Sequence, residues 1–117
     1  MNSTEYSKRA PITDVSPHTL DYYLKGMVKE LGEFFGHLKR IERDDRGKIT
    51  PERFAKMKEE MGDFEWYRIR AWAKICELLG ITFIPLEQVW DENILKLADR
   101  EERGVIRGEG SERWVNQ

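Results

Sequence analysis

Leu24, Val28, Leu31, Phe35 and Leu38 recur at steps of four, three, four and three. Such a rhythm falls on one side of an α-helix and on no face of a strand, because helical side chains realign about every 3.6 residues. It predicts a helix from about Ser16 to Arg43, with Ser16 as N-cap and Pro17 at the first helical position. The stretch DDRGK (44–48) breaks the pattern, and Thr50-Pro51 repeats the start signal for a second helix that Gly80 ends. The first half of that helix carries one apolar stripe (Phe54, Met57, Met61, Phe64), and its second half is apolar almost all round (Trp72, Ile75, Cys76, Leu78, Leu79). A helix of the second kind is central in its fold or shared with another subunit. After the connector ITFIP, a third helix is expected over about Leu86–Glu102, with Val89, Trp90, Ile94 and Leu97 facing inward. The expected fold class is all-α, an antiparallel bundle of long helices. Its apolar surface exceeds what three helices bury alone, so homo-oligomerisation to a dimer or tetramer is expected to complete it. Residues 1–15, polar and carrying Pro11, read as a flexible arm before a single domain over 16–117, and the tail RGVIRGEGSER (103–113) reads as a loop.

Composition narrows the classes of partner. A net charge of −2 over 117 residues gives no general attraction for a nucleic acid polymer or an anionic membrane. The single cysteine, Cys76, excludes an internal disulfide framework and a cysteine-based zinc site, and its apolar neighbours make it a small buried hydrophobe. No apolar run approaches membrane-span length, and MNSTEYSKRAP lacks the apolar core of a signal peptide. The expectation is a soluble cytoplasmic chain, in the host cytoplasm if phage-encoded. The segment ERDDRGKITPERF imitates a calcium loop, but Arg46 and Arg53 stand where oxygen ligands would be needed, so it reads as an interhelical turn.

The acidic residues carry the functional signal. Pairs of acids three apart are common in a chain with 22 of them, so spacing alone says little. Two pairs stand out by their surroundings: Glu30-Leu-Gly-Glu33-Phe and Glu60-Met-Gly-Asp63-Phe share the form acid, apolar, Gly, acid, aromatic. Each lies mid-helix at the edge of an apolar stripe, so antiparallel packing of the two helices would bring four carboxylates to one spot. Four ionised carboxylates share a groove only when cations neutralise them, and hard divalent ions such as Mg²⁺ suit oxygen ligands. Gly32 and Gly62 have two readings: they clear space for a ligand beside the acids, or they serve close helix packing with the acids solvated. On the third helix Asn93, Lys96 and Arg100 form a donor row, followed by Arg103 and Arg107, and such a row suits polyphosphate oxygens as well as plain solvent.

Taken in order, KELGEF (29–34), KEEMGDFEWY (58–67), DENILKLADR (91–100) and RGVIRGEG (103–110) resemble the MazG-type all-α nucleoside triphosphate pyrophosphohydrolases over about residues 20–113. That group also contains dUTPases and an enzyme acting on phosphoribosyl-ATP. The resemblance implies that Glu30, Glu33, Glu60 and Asp63 bind Mg²⁺ or Mn²⁺, with Glu33 and Glu60 catalytic and Glu33 able to double as general base. It implies that Asn93 and Lys96 contact substrate phosphates, together with Arg100 and Arg107. The reaction would cleave a (d)NTP between its α and β phosphates, with a purine base of the dGTP kind favoured. A narrow dUTPase-like substrate is the alternative within the group, and a non-catalytic helical oligomerisation module is the alternative outside it. The run FEWYRIRAW departs from the aliphatic pattern usual after the second acidic pair. Its charges read as a paired subunit interface, or Trp66 and Tyr67 read as a stacking platform for the base. His37 beside the acids reads as a supporting or solvated residue.

Overall fold

The computed structural model describes residues 1–15 and 18–104. Among these the chain forms helix α1 (Ser3–Arg9), a 3-10 turn (Ala10–Thr13), and helices α2 (Leu20–Asp44), α3 (Pro51–Leu78) and α4 (Leu86–Glu102). No strand occurs among the described residues, so the fold is all-α. Among the described residues no helix is long and apolar enough to cross a membrane.

Local chemistry sets the boundaries. The α2 helix begins three residues after the expected proline, because Thr19 is its N-cap and accepts a 3.4 Å bond from the Tyr22 amide. Ser16 and Pro17 lie outside the described residues. The chain then reverses through Arg46 and Gly47, both left-handed at φ 56° and 75°. Thr50 caps α3 by accepting from the Arg53 amide at 3.1 Å, and Pro51 opens it. At the far end Gly80, at φ 68°, lets the Ile81 amide reach back to the Cys76 carbonyl at 3.0 Å.

With so short a turn between them, α2 and α3 lie antiparallel, and their contact is the main packing of the molecule. Tyr23 meets Arg70 near one end, Gly26 meets Tyr67, and His37 meets Glu60 further along. The buried residues of α2 are Tyr23, Gly26, Glu30, His37 and Ile41. The expected apolar stripe is therefore not the face this hairpin buries. Leu24, Leu31, Phe35 and Leu38 are all exposed, and Val28 is 72% exposed. Phe54 and Met61 of α3 are exposed as well. On an antiparallel pair, their angular offset from the contact line puts them on the same side as the α2 stripe. Two helices touching along polar and small residues leave their larger apolar residues to one flank.

Two further expectations are corrected. Residues 1–15 are a folded segment rather than a loose arm. Asn2 caps α1, and Asp14 is buried where it accepts hydrogen bonds from Tyr23 and from Arg70 Nε at 3.1 Å. In α4 the inward set fails: Trp90, Ile94 and Leu97 are exposed, while Leu86 and Arg100 are buried. The helix docks chiefly on α1, where the Ser3 hydroxyl accepts from the Leu86 amide at 2.9 Å and the Glu87 carboxylate accepts from the Ser3 amide at 2.7 Å. Ser3 thus supplies the cap that Pro85 cannot. Cys76 is buried, as its neighbours implied.

Candidate active site

Antiparallel packing brings Glu30 and Glu33 of α2 to Glu60 and Asp63 of α3. Carboxylate oxygens of Glu30, Glu60 and Asp63 all lie within 4.8 Å of one another. Glu33 joins them at the open edge, where Lys29 Nζ stands 3.1 Å from its Oε1. Glu30 is 6% exposed, and the Oε2 atoms of both Glu30 and Glu60 are buried without a hydrogen-bond partner among the described residues. Orphaned buried carboxylate oxygens are costly, about 1–3 kcal/mol or more each, and they define a place that fits a hard cation.

The protonation pattern follows from crowding. Burial, then the Glu33 and Glu30 carboxyls, push Glu60 up to about 7. Lys29, then a hydrogen bond from Glu60, holds Glu33 below the usual carboxylate range. Without a cation, then, Glu60 keeps the proton that neighbouring acids share, and the half-exposed Glu33 is the ionised partner.

His37 stands behind this pair. It is buried, with Nε2 3.6 Å from Glu60 Oε1 and Nδ1 3.4 Å from Arg53 Nη1. A guanidinium only donates, so Nδ1 accepts and Nε2 carries the proton, facing Glu60. Burial and the nearby Arg40 and Arg53 charges lower the histidine's pKa and keep it neutral. Arg53 is itself held by Asp45, whose Oδ2 accepts from Nε at 3.0 Å. The arginine that spoils the calcium-loop pattern thus fixes a histidine tautomer beside the acids.

Two hollows open from the cluster. One, of about 350 Å³, is lined by Glu30, Asp63, Trp66 and Tyr67. The Trp66 indole N–H is committed to Thr13 Oγ1 at 2.9 Å and to the Ala10 carbonyl at 3.2 Å, which fixes the ring and leaves no donor for a ligand. The other hollow, of about 520 Å³, lies along α2 beside Glu33 and Glu60, with Gly32 and Gly36 in its wall and Lys29 and Arg40 at its rim. Close packing among the described residues does not explain these glycines or Gly62, since a Cβ at any of the three would meet none of their atoms within 4 Å. Gly26 is the contrast: its Cβ would stand 2.2 Å from the Tyr67 ring.

The third-helix donors are not brought to the acids within one chain. Asn93 and Lys96 line a separate hollow with Val89 and Glu92, and Arg100 is buried on α4 with its Nε unpartnered. Arg107 lies outside the described residues. The charges of FEWYRIRAW are paired inside the chain: Arg68 Nε donates to Glu65 at 3.1 Å, and Arg70 binds Asp14. Sequence reading missed the Asp14–Tyr23–Arg70 network and the cations Lys29 and Arg40. The available signal was KELGEFFGHLKR, in which basic residues bracket two glycines four apart.

No protein-family model matches the chain, and no solved structure matches it. It is 36% identical over 94 residues to the Gene 37 protein of Mycobacterium phage L5, an alignment covering 80% of this chain and 76% of that one.

Proposed function

The chain belongs to the family of that phage protein, and we propose that it is a Mg²⁺- or Mn²⁺-dependent pyrophosphohydrolase of nucleoside triphosphates. The observation that carries this reading is the convergence of Glu30, Glu60 and Asp63, with buried oxygens of Glu30 and Glu60 that have no hydrogen-bond partner among the described residues. The resemblance of the four motifs to MazG-type enzymes supports it independently.

Glu30, Glu33, Glu60 and Asp63 would hold the cation. When bound, it supplies positive charge to phosphate oxygens and makes a coordinated water more acidic. The chain's own groups do the rest. Glu60 gives up its shared proton when the site fills, and the neutral His37 N–H faces it throughout. Glu33, ionised and open to solvent, accepts the proton of the attacking water. Hydrolysis falls between the α and β phosphates and yields a monophosphate and pyrophosphate. The flat rings of Trp66 and Tyr67 wall the hollow beside Glu30 and Asp63, where a purine such as guanine would find acceptors for its N–H groups.

The assembly is part of the proposal. A homo-oligomer, dimer or tetramer, covers the exposed stripe from Leu24 to Leu38, and from a second copy Asn93 and Lys96 reach the phosphates.

The test is a panel of (d)NTPs, dUTP included, with Mg²⁺ or Mn²⁺ and malachite-green detection. Phosphate should be released only when inorganic pyrophosphatase is added, and the preferred base separates a purine enzyme from a dUTPase. Direct release of orthophosphate would overturn cleavage between α and β. The exposed apolar face also favours a second reading, a non-catalytic oligomerisation module, which predicts no turnover and no thermal stabilisation by Mn²⁺.

A further inference from the structure

The hollow along α2 has no role in the reading so far. It runs beside Glu33 and Glu60, and two of its wall residues are the mid-helix glycines Gly32 and Gly36. Glycine in a helix interior costs about 1 kcal/mol relative to alanine. Here nothing among the described residues requires it, because a Cβ at either position meets none of their atoms within 4 Å. Alanine would be better helix and would fit the protein, so the two glycines serve what enters the hollow.

The rim says what that is. Lys29 at one end is tied to Glu33 and lies 3.6 Å from Glu30. Arg40, at the other end, is exposed and forms no ion pair among the described residues. A guanidinium left open above a glycine floor is suited to a phosphate, which it grips with two parallel N–H donors. The wall on the α3 side is Glu60, with its orphaned Oε2, so an anion entering alone meets repulsion. Only with a cation on the carboxylates does the hollow become attractive to negative charge from end to end. This requirement fits the tail of a nucleotide better than a free anion.

We propose that the Gly32–Gly36 floor and Arg40 form a polyphosphate subsite, in which the phosphates beyond the metal centre lie along α2 and Arg40 holds the terminal one. The proposal rests on the metal-centre reading and deepens it. It divides the site: nucleoside on the Trp66–Tyr67 side, leaving pyrophosphate on the Gly32–Gly36 side, scissile bond at the carboxylates between. It assigns phosphate recognition to α2 of the same chain, in addition to any donors that α4 supplies.

The test titrates inorganic tripolyphosphate into the full-length protein by calorimetry, with and without saturating Mn²⁺, after measuring Mn²⁺ binding alone. Wild type should bind tripolyphosphate only when Mn²⁺ is present. Arg40→Ala should keep Mn²⁺ affinity and lose tripolyphosphate affinity by about 10- to 100-fold, the span of one charge-assisted hydrogen bond. Gly36→Leu should lose it comparably by filling the floor, with its helical circular dichroism unchanged because the site has room for the side chain. Lys39→Ala, an equal change of charge on an exposed neighbour outside the hollow, should bind as wild type does. Undiminished tripolyphosphate binding by Arg40→Ala, or equal losses in Arg40→Ala and Lys39→Ala, would overturn the subsite while leaving the metal centre standing. Absence of Mn²⁺ binding by wild type would overturn the metal centre and the subsite together.

Discussion

The α2–α3 hairpin has two flanks of opposite character. One is a groove of acids, open glycines and a neutral histidine; the other is a row of leucine, valine and phenylalanine side chains left in solvent. Helices usually bury their apolar stripe and expose their charge. Here the line of contact between the helices takes Glu30 and His37 inward and turns Leu31 and Phe35 out. An arrangement that strands both a carboxylate cluster and an apolar row is incomplete in two ways. The groove crowds carboxylates whose only nearby cations stand at its rim, and the flank leaves large apolar side chains in solvent among the described residues.

That contrast can be broken one side at a time. The largest effect belongs to the groove. If the proposed hydrolase reading holds, Glu60→Gln should cut turnover by about a thousandfold or more, because it would remove a ligand of the proposed cation, while circular dichroism stays helical. Activity within tenfold of wild type would remove Glu60 from the mechanism. On the apolar flank, if the proposed homo-oligomer forms there, Leu31→Lys should leave the monomer folded and weaken self-association by about 2 kcal/mol or more, as for a buried interface anchor. Sedimentation velocity would show the smaller species, and an unchanged oligomeric state would exclude that flank as the interface.

Glycines sharpen the comparison further. Gly26→Ala should destabilise the fold by about 1–3 kcal/mol, since its Cβ would press into the Tyr67 ring. Gly62→Ala, in open space, should stabilise it by about 0.5–1 kcal/mol. Thermal melts read both, and shifts of the same sign would deny that the two glycines differ in purpose.

A smaller effect is the pH dependence of the metal-free groove. The folded pKa of Glu60, about 7, lies above its ordinary value of 4.5. The folded state therefore holds more protons between those values, and stability from this group is full below about 4.5 and lost as pH rises through 7. The melting temperature of Glu60→Gln relative to wild type should accordingly climb from pH 5 to pH 8, and saturating Mn²⁺ should raise wild type most at the upper end. A flat difference across that range would mean that Glu60 is not crowded by its neighbours.

Much of this was legible in the residues, unevenly. Thr50-Pro51 marks the start of α3 because its cap is local chemistry, whereas α4 is capped by the distant Ser3. The repeated acid-Gly-acid motif pointed to converging carboxylates because both pairs sit mid-helix on helices that must pack antiparallel. The folded N-terminal segment was hidden, since its anchors join Asp14 to Arg70 and Thr13 to Trp66 across more than fifty residues with no periodicity. Apolar spacing identified the Leu24–Leu38 stripe but not its partner, because periodicity marks a hydrophobic face without saying whether the same chain covers it. The placement of α4 on α1 rests on Ser3 and Glu87, two small polar residues with no pattern to announce them.

The most direct test of the account is a calorimetric titration of metal-free protein with Mn²⁺ at pH 7, in two buffers of different ionisation enthalpy. Saturable binding with release of about half a proton is predicted, because Glu60, at about 7, is about half protonated at this pH and must surrender what it holds, and Glu30→Gln should abolish it. Absence of saturable binding, or equal binding by Glu30→Gln, would contradict the claim that these four carboxylates converge to hold a cation.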